Sequence, residues 1–310
     1  MPASQLLFVT GKGGVGKTTV AAALAQQLAA QRQRVLLVET AAERSVAALF
    51  GTATLGAEPV RLAERLSGVR IESRALVESY FRRLLRLPFL ARRLFASGTF
   101  QAVTAAAPGV TEFVILDHLL QWTEAGRFSR RAPFDAVIID GPASGHALRL
   151  LRTPRQLGRL VPRGPIGASV GRLQSLLEDR ARTRVVVVAI PDEMAVTEAL
   201  ETRAALAGLD LRVARPVLNR VWPRRFAAAD EKTLTGDRHR AHQADPLLLA
   251  ARLAIAARRE AERHLAALKR AFGSAPIALA EQGGQAVDGA ALERFGRALA
   301  ATAGGDGTAA

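Results

Sequence analysis

Short apolar runs separated by longer segments with helical spacing organise most of the chain. The run RVVVVAIP at residues 184–191 is apolar at successive positions, which is typical of a central parallel strand covered on both faces. An alanine-rich segment with leucines at helical spacing predicts a helix over residues 18–31. Strands are predicted at residues 5–10, 34–40, 132–140, 184–191, 213–219 and 276–280. Strand, loop, helix and strand in that order indicate a right-handed crossover. We therefore predict an α/β fold, with a mainly parallel, doubly wound sheet flanked by helices.

Two helical regions interrupt this alternation, at about residues 76–128 and 227–272. We predict that both are elaborations of a single domain over residues 1–303, with a disordered tail at 304–310. Pro216 lies within one predicted strand and indicates either an edge strand or the start of a strand. The first helical region contains an apolar stripe that is more typical of a core or dimer surface than of a client or lipid groove: Phe81, Leu84, Leu85 and Phe89.

Composition excludes several kinds of site. The chain has no cysteine, which removes disulfides, thiolate metal sites and cysteine nucleophiles, and its five histidines lack a ligand-like spacing. No apolar run is long enough for a membrane span, and no signal peptide is evident, so we expect a cytoplasmic protein. The formal net charge of +15 comes almost entirely from arginine. Solvated arginine faces and a real anionic partner are both compatible with that charge.

A glycine-rich loop carries the strongest chemical signal. Residues 11–18 read G-K-G-G-V-G-K-T, which satisfies the phosphate-loop pattern between a strand and a helix. Backbone N–H groups of such a loop converge on phosphate oxygens, Lys17 can bridge the β- and γ-phosphates, and the Thr18 hydroxyl can bind Mg²⁺. The sequence thus predicts ATP and Mg²⁺ as cofactors. The predicted binding residues of the loop are Gly11, Lys12, Gly13, Gly14, Val15, Gly16, Lys17, Thr18 and Thr19.

Lys12 makes the loop a deviant form of this pattern, K-G-G-x-G-K-[ST]. Here the sequence resembles the family of arsenite-pump ATPases and of ATPases that target tail-anchored membrane proteins. The resemblance implies a dimer in which Lys12 reaches the nucleotide of the partner subunit; the alternative is a surface lysine that acts within its own chain. The segment D-G-P-A-S-G-H from Asp140 to His146 resembles the family's switch segment. It implies that Asp140 contacts Mg²⁺ through water and that His146 couples to the switch, unless His146 is simply a loop histidine.

Further motifs extend the resemblance over residues 5–225. Residues 150–154 resemble the family's next segment, and Pro108, Gly109 and Glu112 resemble its P-G-x-x-E stretch. The segment P-D-E-M-A-V-T-E ends at Glu198, which the resemblance links to the helical insert, although an exposed helix residue is the alternative. Asn219 ends the predicted fifth strand, and the resemblance implies that it reads adenine; the alternative is a turn asparagine.

One departure from the family concerns catalysis. The family's second strand ends in D-P-A-H-S-L, whose aspartate polarises the attacking water. Here Ser45 and Val46 align with the serine and leucine, so Ala41 occupies the aspartate position. Glu39 and Glu43 are the nearest carboxylates, and Glu39 is the candidate substitute base because residues two apart on a strand share a face. The alternatives are slow or absent hydrolysis, with Glu39 having no catalytic role.

A second departure concerns cargo. Without cysteine the chain lacks metalloid-binding thiolates and a zinc clasp, and with only Met1 and Met194 it cannot form a methionine-rich groove. We expect a homodimer, or a heterodimer with a paralogous ATPase, and an unknown protein cargo or membrane partner. A partition-type ATPase that binds DNA is the less favoured alternative, and nucleic acid is an unlikely partner on these motifs.

Overall fold

The computed structural model describes residues 4–40, 46–52, 54–84, 109–124, 132–236 and 245–303. Within these ranges the strands are β1 Gln5–Thr10, β2 Val35–Glu39, β3 Val60–Ala63, β4 Leu66–Arg70, β5 Ala136–Asp140, β6 Thr183–Ala189, β7 Val217–Val221 and β8 Ile277–Ala280. The helices are α1 Lys17–Ala30, α2 Val46–Leu49, α3 Ser73–Leu84, α4 Val110–Thr123, α5 Ser144–Leu160, α6 Gly164–Glu178, α7 Glu193–Ala207, α8 Ala228–Thr235, α9 Pro246–Phe272 and α10 Gly289–Ala303.

The strands form one eight-stranded sheet in the order β3-β4-β2-β5-β1-β6-β7-β8. Every neighbouring pair is parallel except β3 with β4, which are antiparallel. The predicted α/β class with a mainly parallel sheet is confirmed. In this order β1 is central, so the loop that follows β1 opens between the carboxyl ends of β5 and β6, where open α/β sheets bind ligands.

Side chains of the central strands alternate between two apolar cores, one on each face of the sheet. Leu6 and Phe8 of β1 belong to the core beneath α4, α5, α6, α7 and α9, whereas Leu7 and Val9 belong to the core beneath α1 and α10. All these strand residues are nearly inaccessible to solvent. Helix α1 is buried along most of its surface because α10 covers the side that the sheet does not.

The helical insert contributes to the first of these cores. Phe113, Leu116 and Leu119 of α4 are buried there, and Tyr80 of α3 meets Phe113 edge to face with ring centroids 5.7 Å apart. The apolar stripe predicted in this insert lies outside the described residues or side chains, as does the tail at 304–310. No helix in the described part of the chain is both long and apolar enough to cross a bilayer.

Of the two alternatives for Pro216, the structure has the strand start: Pro216 directly precedes β7, which runs between β6 and β8 and is not an edge strand. The predicted bounds of this strand are wrong, because β7 begins at Val217 and continues past Asn219 to Val221. The pair β3 and β4 was not predicted at all.

Candidate functional site

The glycine loop after β1 packs so closely against neighbouring strands that side chains do not fit. Gly11 has φ 150°, and a Cβ there would lie 2.1 Å from the Val188 carbonyl oxygen of β6. Gly16 has φ 93° and caps α1; a Cβ there would lie 2.3 Å from Asn219 Nδ2 of β7. The loop backbone is therefore exposed to a ligand on one side and fixed by β6 and β7 on the other.

Thr18 and Asp140, the two predicted magnesium residues, are brought together at the mouth of this loop. Thr18 Oγ1 donates a hydrogen bond of 2.7 Å to Asp140 Oδ2. Lys17 Nζ lies over the loop and donates to the Lys12 carbonyl oxygen at 3.1 Å. A hydroxyl and a carboxylate are the oxygen donors that Mg²⁺ takes when substrate phosphates and water complete its shell. The residues present thus fit a Mg²⁺–nucleotide complex.

Asp140 is the last residue of β5 and its side chain is almost fully buried. Burial raises the pKa of its carboxyl from 3.8 to about 6, against the lowering effects of the Thr18 hydrogen bond and the Lys17 charge; the Glu39 charge raises the pKa further. The carboxylate form is still the major one at neutral pH. A cation bound beside Asp140 would add an opposite charge in a poorly solvated place, where such charges interact strongly.

A cleft of about 1100 Å³ extends from the loop and is large enough for a nucleotide. Part of its lining is the glycine loop and the segment after β5: Gly13, Gly14, Gly16, Lys17, Thr18, Thr19, Asp140, Gly141, Pro142, Ala143 and His146. The remaining lining residues, apart from Asn219, are not indicated by any sequence motif, and most of them lie at or after the end of β8: Ala48, Leu49, Arg220, Ala280, Glu281, Gln282, Gly284, Gln285, Ala286, Val287 and Phe295.

Glu39, the candidate substitute base, lies beside Asp140 but does not line the cleft. The two residues pair in register at the ends of β2 and β5. Glu39 is fully buried, and its Oε1 accepts a hydrogen bond of 3.0 Å from Arg70 Nη2 on β4. Oε2 is also buried and has no hydrogen bond within the described residues. Arg70 therefore neutralises Glu39, a partner that no sequence motif indicates.

Lys12 is directed away from the cleft as well. Its Nζ lies 3.9 Å from Asp192 Oδ1, and the two side chains are 32% and 51% exposed. Asp192 is also the N-cap of α7, where Oδ1 accepts a hydrogen bond of 2.9 Å from Ala195 N. The loop lysine is thus placed at the surface beside the start of α7.

Asn219 joins the loop to β7. Its Nδ2 donates to the Val15 carbonyl oxygen at 2.9 Å, and its Oδ1 accepts from Arg220 N at 2.9 Å. The side chain borders the cleft, but one N–H and one lone pair of its amide are already used within the protein.

The comparisons with known proteins agree with a nucleotide site in this cleft, because they identify a family of ATPases. A model of the anion-transporting ATPase family matches residues 4–164, about half of the chain. The chain belongs to this family. ATPase BagA of Mycobacterium tuberculosis is 30% identical over 232 residues, which cover 73% of this chain and 68% of that protein. Arsenical pump-driving ATPases of Escherichia coli and Acidiphilium multivorum are 32% and 31% identical; each match covers 72% of this chain but only 40% of the relative.

The predicted resemblance is therefore confirmed, and membership assigns nucleotide binding and ATPase chemistry to the chain in general terms. Within the structure, Glu112 of α4 forms an ion pair of 2.6 Å with Arg149 of α5, and Arg149 Nη2 lies 3.1 Å from His146 Nδ1. His146 is an exposed residue in the first turn of α5 and lines the cleft. These contacts connect the helical insert to the switch segment.

The other residues carried over from the family are less closely associated with the cleft. Glu198 is half-buried on α7 and does not line it. Gly109 precedes α4 with φ 93°. Pro108, Ala41, Glu43 and Ser45 lie outside the described residues, and Val46 begins α2. Neither Arg70 nor Arg220 belongs to a sequence motif. The contact of Arg70 with Glu39 depends on the strand order, and the position of Arg220 in the cleft depends on the backbone of β7.

Proposed function

We propose that this family member binds Mg-ATP in the cleft, with the phosphates in the loop at 11–18. The hydrogen bond of 2.7 Å between Thr18 and Asp140 at the loop mouth carries this proposal. It joins the end of β5 to the first turn of α1, whose helix dipole favours an anion. Within this arrangement Lys17 neutralises phosphate charge and the loop N–H groups orient the phosphoryl oxygens. Thr18 and Asp140 would hold Mg²⁺, which would supply further neutralisation of the phosphate charge.

We further propose that hydrolysis by this subunit alone is slow. Ala41 stands at the position of the family's water-polarising aspartate and has no proton acceptor. Burial of Glu39, its pairing with Arg70 and its absence from the cleft wall support slow turnover over the alternative that Glu39 is a substitute base. Loss of a group that orients water can reduce a rate by several orders of magnitude.

The proposed cycle couples nucleotide binding to dimer closure. The Lys12 side chain is 32% exposed and does not line the cleft of its own chain, which supports a role at the nucleotide of a partner subunit. The partner would be a second copy or a paralogous ATPase, and the insert, linked through Glu112 and Arg149, would transmit closure to a protein cargo or membrane partner. The arsenical role named for some relatives is disfavoured here because the sequence has no cysteine.

Phosphate release with Mg-ATP tests the proposal. We expect slow turnover that is abolished in Lys17→Ala and retained in Lys232→Ala, an exposed lysine on α8. Glu39→Gln should leave the rate of phosphate release unchanged, because Glu39 is not the base in this proposal. A large decrease in that rate would instead show that Glu39 is the substitute base. Equal activity of Lys17→Ala and the wild type would contradict ATP hydrolysis in this cleft.

A mixing experiment tests the pairing. When the chain is titrated with a paralogous ATPase, a heterodimer predicts turnover above the sum of the separate rates. Lys12→Ala in this chain should remove the excess, because Lys12 would act on the other subunit's nucleotide. Simple additivity would contradict the heterodimer and favour a homodimer.

A further inference from the structure

Arg220 has a backbone conformation that its strand does not require. Its φ is 57°, in the left-handed region that L-residues other than glycine rarely adopt. Three other non-glycine residues of the described ranges have positive φ, and each lies in a turn between elements: Arg32, Arg65 and Asp210. Within the described strands, only β7 contains such a residue. The pairing of β7 with β8 shifts register between Leu218 and Val221, around Arg220.

Asn219 holds this irregularity in place. Its buried Oδ1 accepts from the Arg220 N–H, while its Nδ2 donates to the Val15 carbonyl oxygen of the glycine loop. The unusual backbone at Arg220 is therefore coupled to the loop that would hold the phosphates. Conformations of this kind persist where the surroundings fix them, and they concentrate at ligand sites.

The consequence of the irregularity is an arginine in the cleft wall. Arg220 is exposed, lines the cleft, and its guanidinium has no hydrogen bond or ion pair with any residue that the structure describes. It lies beside the part of the lining formed by the segment after β8, because the backbone N–H of Glu281 bonds to the carbonyl of the adjacent residue Val221. With the phosphates in the glycine loop, this part of the lining is available to the base of the nucleotide. A planar guanidinium stacks on a base or donates hydrogen bonds to its edge.

We propose that Arg220 contacts the base of the bound nucleotide and helps to determine specificity, and that Asn219 is the positioning residue that sets the Arg220 backbone. The inference rests on the proposed function, because it needs a nucleotide whose phosphates occupy the loop. It differs from a role in phosphate binding, since the arginine contributes nothing to a ligand that consists of phosphates alone.

Calorimetric titration of Arg220→Gly with ATP and with inorganic tripolyphosphate tests this directly. Glycine adopts φ 57° without strain, so the variant should fold and be at least as stable as the wild type. Its affinity for ATP should fall about tenfold, the order expected for a lost guanidinium–ring contact, and its affinity for tripolyphosphate should not change. Arg220→Lys keeps the positive charge but lacks the planar guanidinium, so this variant should lose part of its affinity for ATP. Arg220→Asn, which also tolerates this backbone, provides a second folded variant.

Arg32→Gly is the matched control. Arg32 has φ 64°, is exposed just after α1, and does not line the cleft, so this change relieves similar backbone strain and removes one positive charge without altering ATP affinity. Equal ATP affinity of Arg220→Gly and wild type would overturn the inference, as would a matching loss for tripolyphosphate. Failure of the wild type itself to bind ATP would overturn the proposed function and the inference together.

Discussion

At Asp140, the ionised form that a cation site needs reduces the stability of the folded protein. Its native pKa of about 6 lies above the ordinary value of 3.8, so the folded protein holds the proton more tightly than the unfolded chain. The ionised carboxylate therefore costs stability above pH 6, and this cost disappears as the pH falls below 4. A shift of this size corresponds to at most about 3 kcal/mol.

Asp140→Asn should consequently stabilise the protein in a pH-dependent way. We expect the free energy of unfolding in urea to rise by up to about 3 kcal/mol at pH 8 and to match wild type near pH 4. Asparagine can still accept the Thr18 hydrogen bond. Glu58→Gln, which changes an exposed carboxylate, should have little effect at either pH. A gain that is equal at both pH values would contradict this account of Asp140.

The ion pair of buried Glu39 with half-buried Arg70 gives a second prediction for single residues. Arg70→Met leaves the fully buried Glu39 without its counter-charge and should reduce the free energy of unfolding by about 3–5 kcal/mol. Adding Glu39→Gln should recover most of the loss, because no buried charge then remains. Urea denaturation of the two single variants and the double variant measures the coupling, and strictly additive changes would rule it out.

For single residues, the sequence predicts site side chains that belong to one local motif, but not side chains that the fold brings in from distant segments. The loop between β1 and α1 is one continuous stretch, so Lys17 and Thr18 are predictable from spacing. Arg70 reaches Glu39 only because β4 is the neighbour of β2 in the sheet. Arg220 reaches the cleft only because β7 is irregular at that residue, and the motif at Asn219 does not predict this irregularity.

Among the elements, helix α7 has at its N-terminus a cap residue that also forms an ion pair with the glycine loop. Asp192 caps the helix and is also the anion nearest to Lys12. Asp192→Ala should cost about 1 kcal/mol of stability through the lost cap, whereas Asp192→Asn keeps a capping oxygen and should cost much less.

Both substitutions should release Lys12 and lower the ATP concentration needed to form the proposed dimer, which sedimentation velocity measures. The shift should be no more than a fewfold, because an exposed ion pair contributes about 0–1 kcal/mol. Glu193→Gln removes a charge one residue away and serves as the control. A dimerisation curve unchanged by Asp192→Asn would show that the ion pair does not restrain Lys12.

The strands that were predicted well are those whose sequence is apolar on both faces. β6 reads T-R-V-V-V-V-A and is buried throughout, and the prediction differs from it only at the ends. β3 reads V-R-L-A at the sheet edge with mostly exposed side chains, so its sequence carries no comparable signal. The sequence alone left two alternatives for Pro216, because proline is tolerated both in edge strands and at strand starts. The position of β8 beside β7 excludes the edge strand.

Across the whole molecule, helix α10, the last element that the structure describes, supports the helix that begins at the glycine loop. Helix α10 packs along α1, and Gly296 is the point of closest approach: a Cβ there would lie 2.9 Å from the Ala23 carbonyl oxygen. Gly296→Leu should separate the helices and reduce the free energy of unfolding by about 1–3 kcal/mol, as overpacking does.

The same change should also weaken ATP binding if that separation tilts α1. Gly289→Ala, at the open start of α10, has no atoms within 4 Å of its added Cβ and should be neutral or slightly stabilising. Thermal unfolding and ATP titration of both variants measure the two effects. Unchanged stability of Gly296→Leu would contradict the close packing of α1 and α10.

The central place of β1 also has a consequence for biosynthesis. The ribosome releases β1 and the glycine loop well before their neighbours in the sheet, because the strands on either side of β1 begin to pair with it only at Ala136 and Thr183. Until β5 has emerged, β1 lacks both lateral neighbours, and until β6 has emerged it lacks one of them. Such sequence-distant pairing folds slowly, so the apolar β1 has to be kept from aggregating between its own synthesis and that of β6.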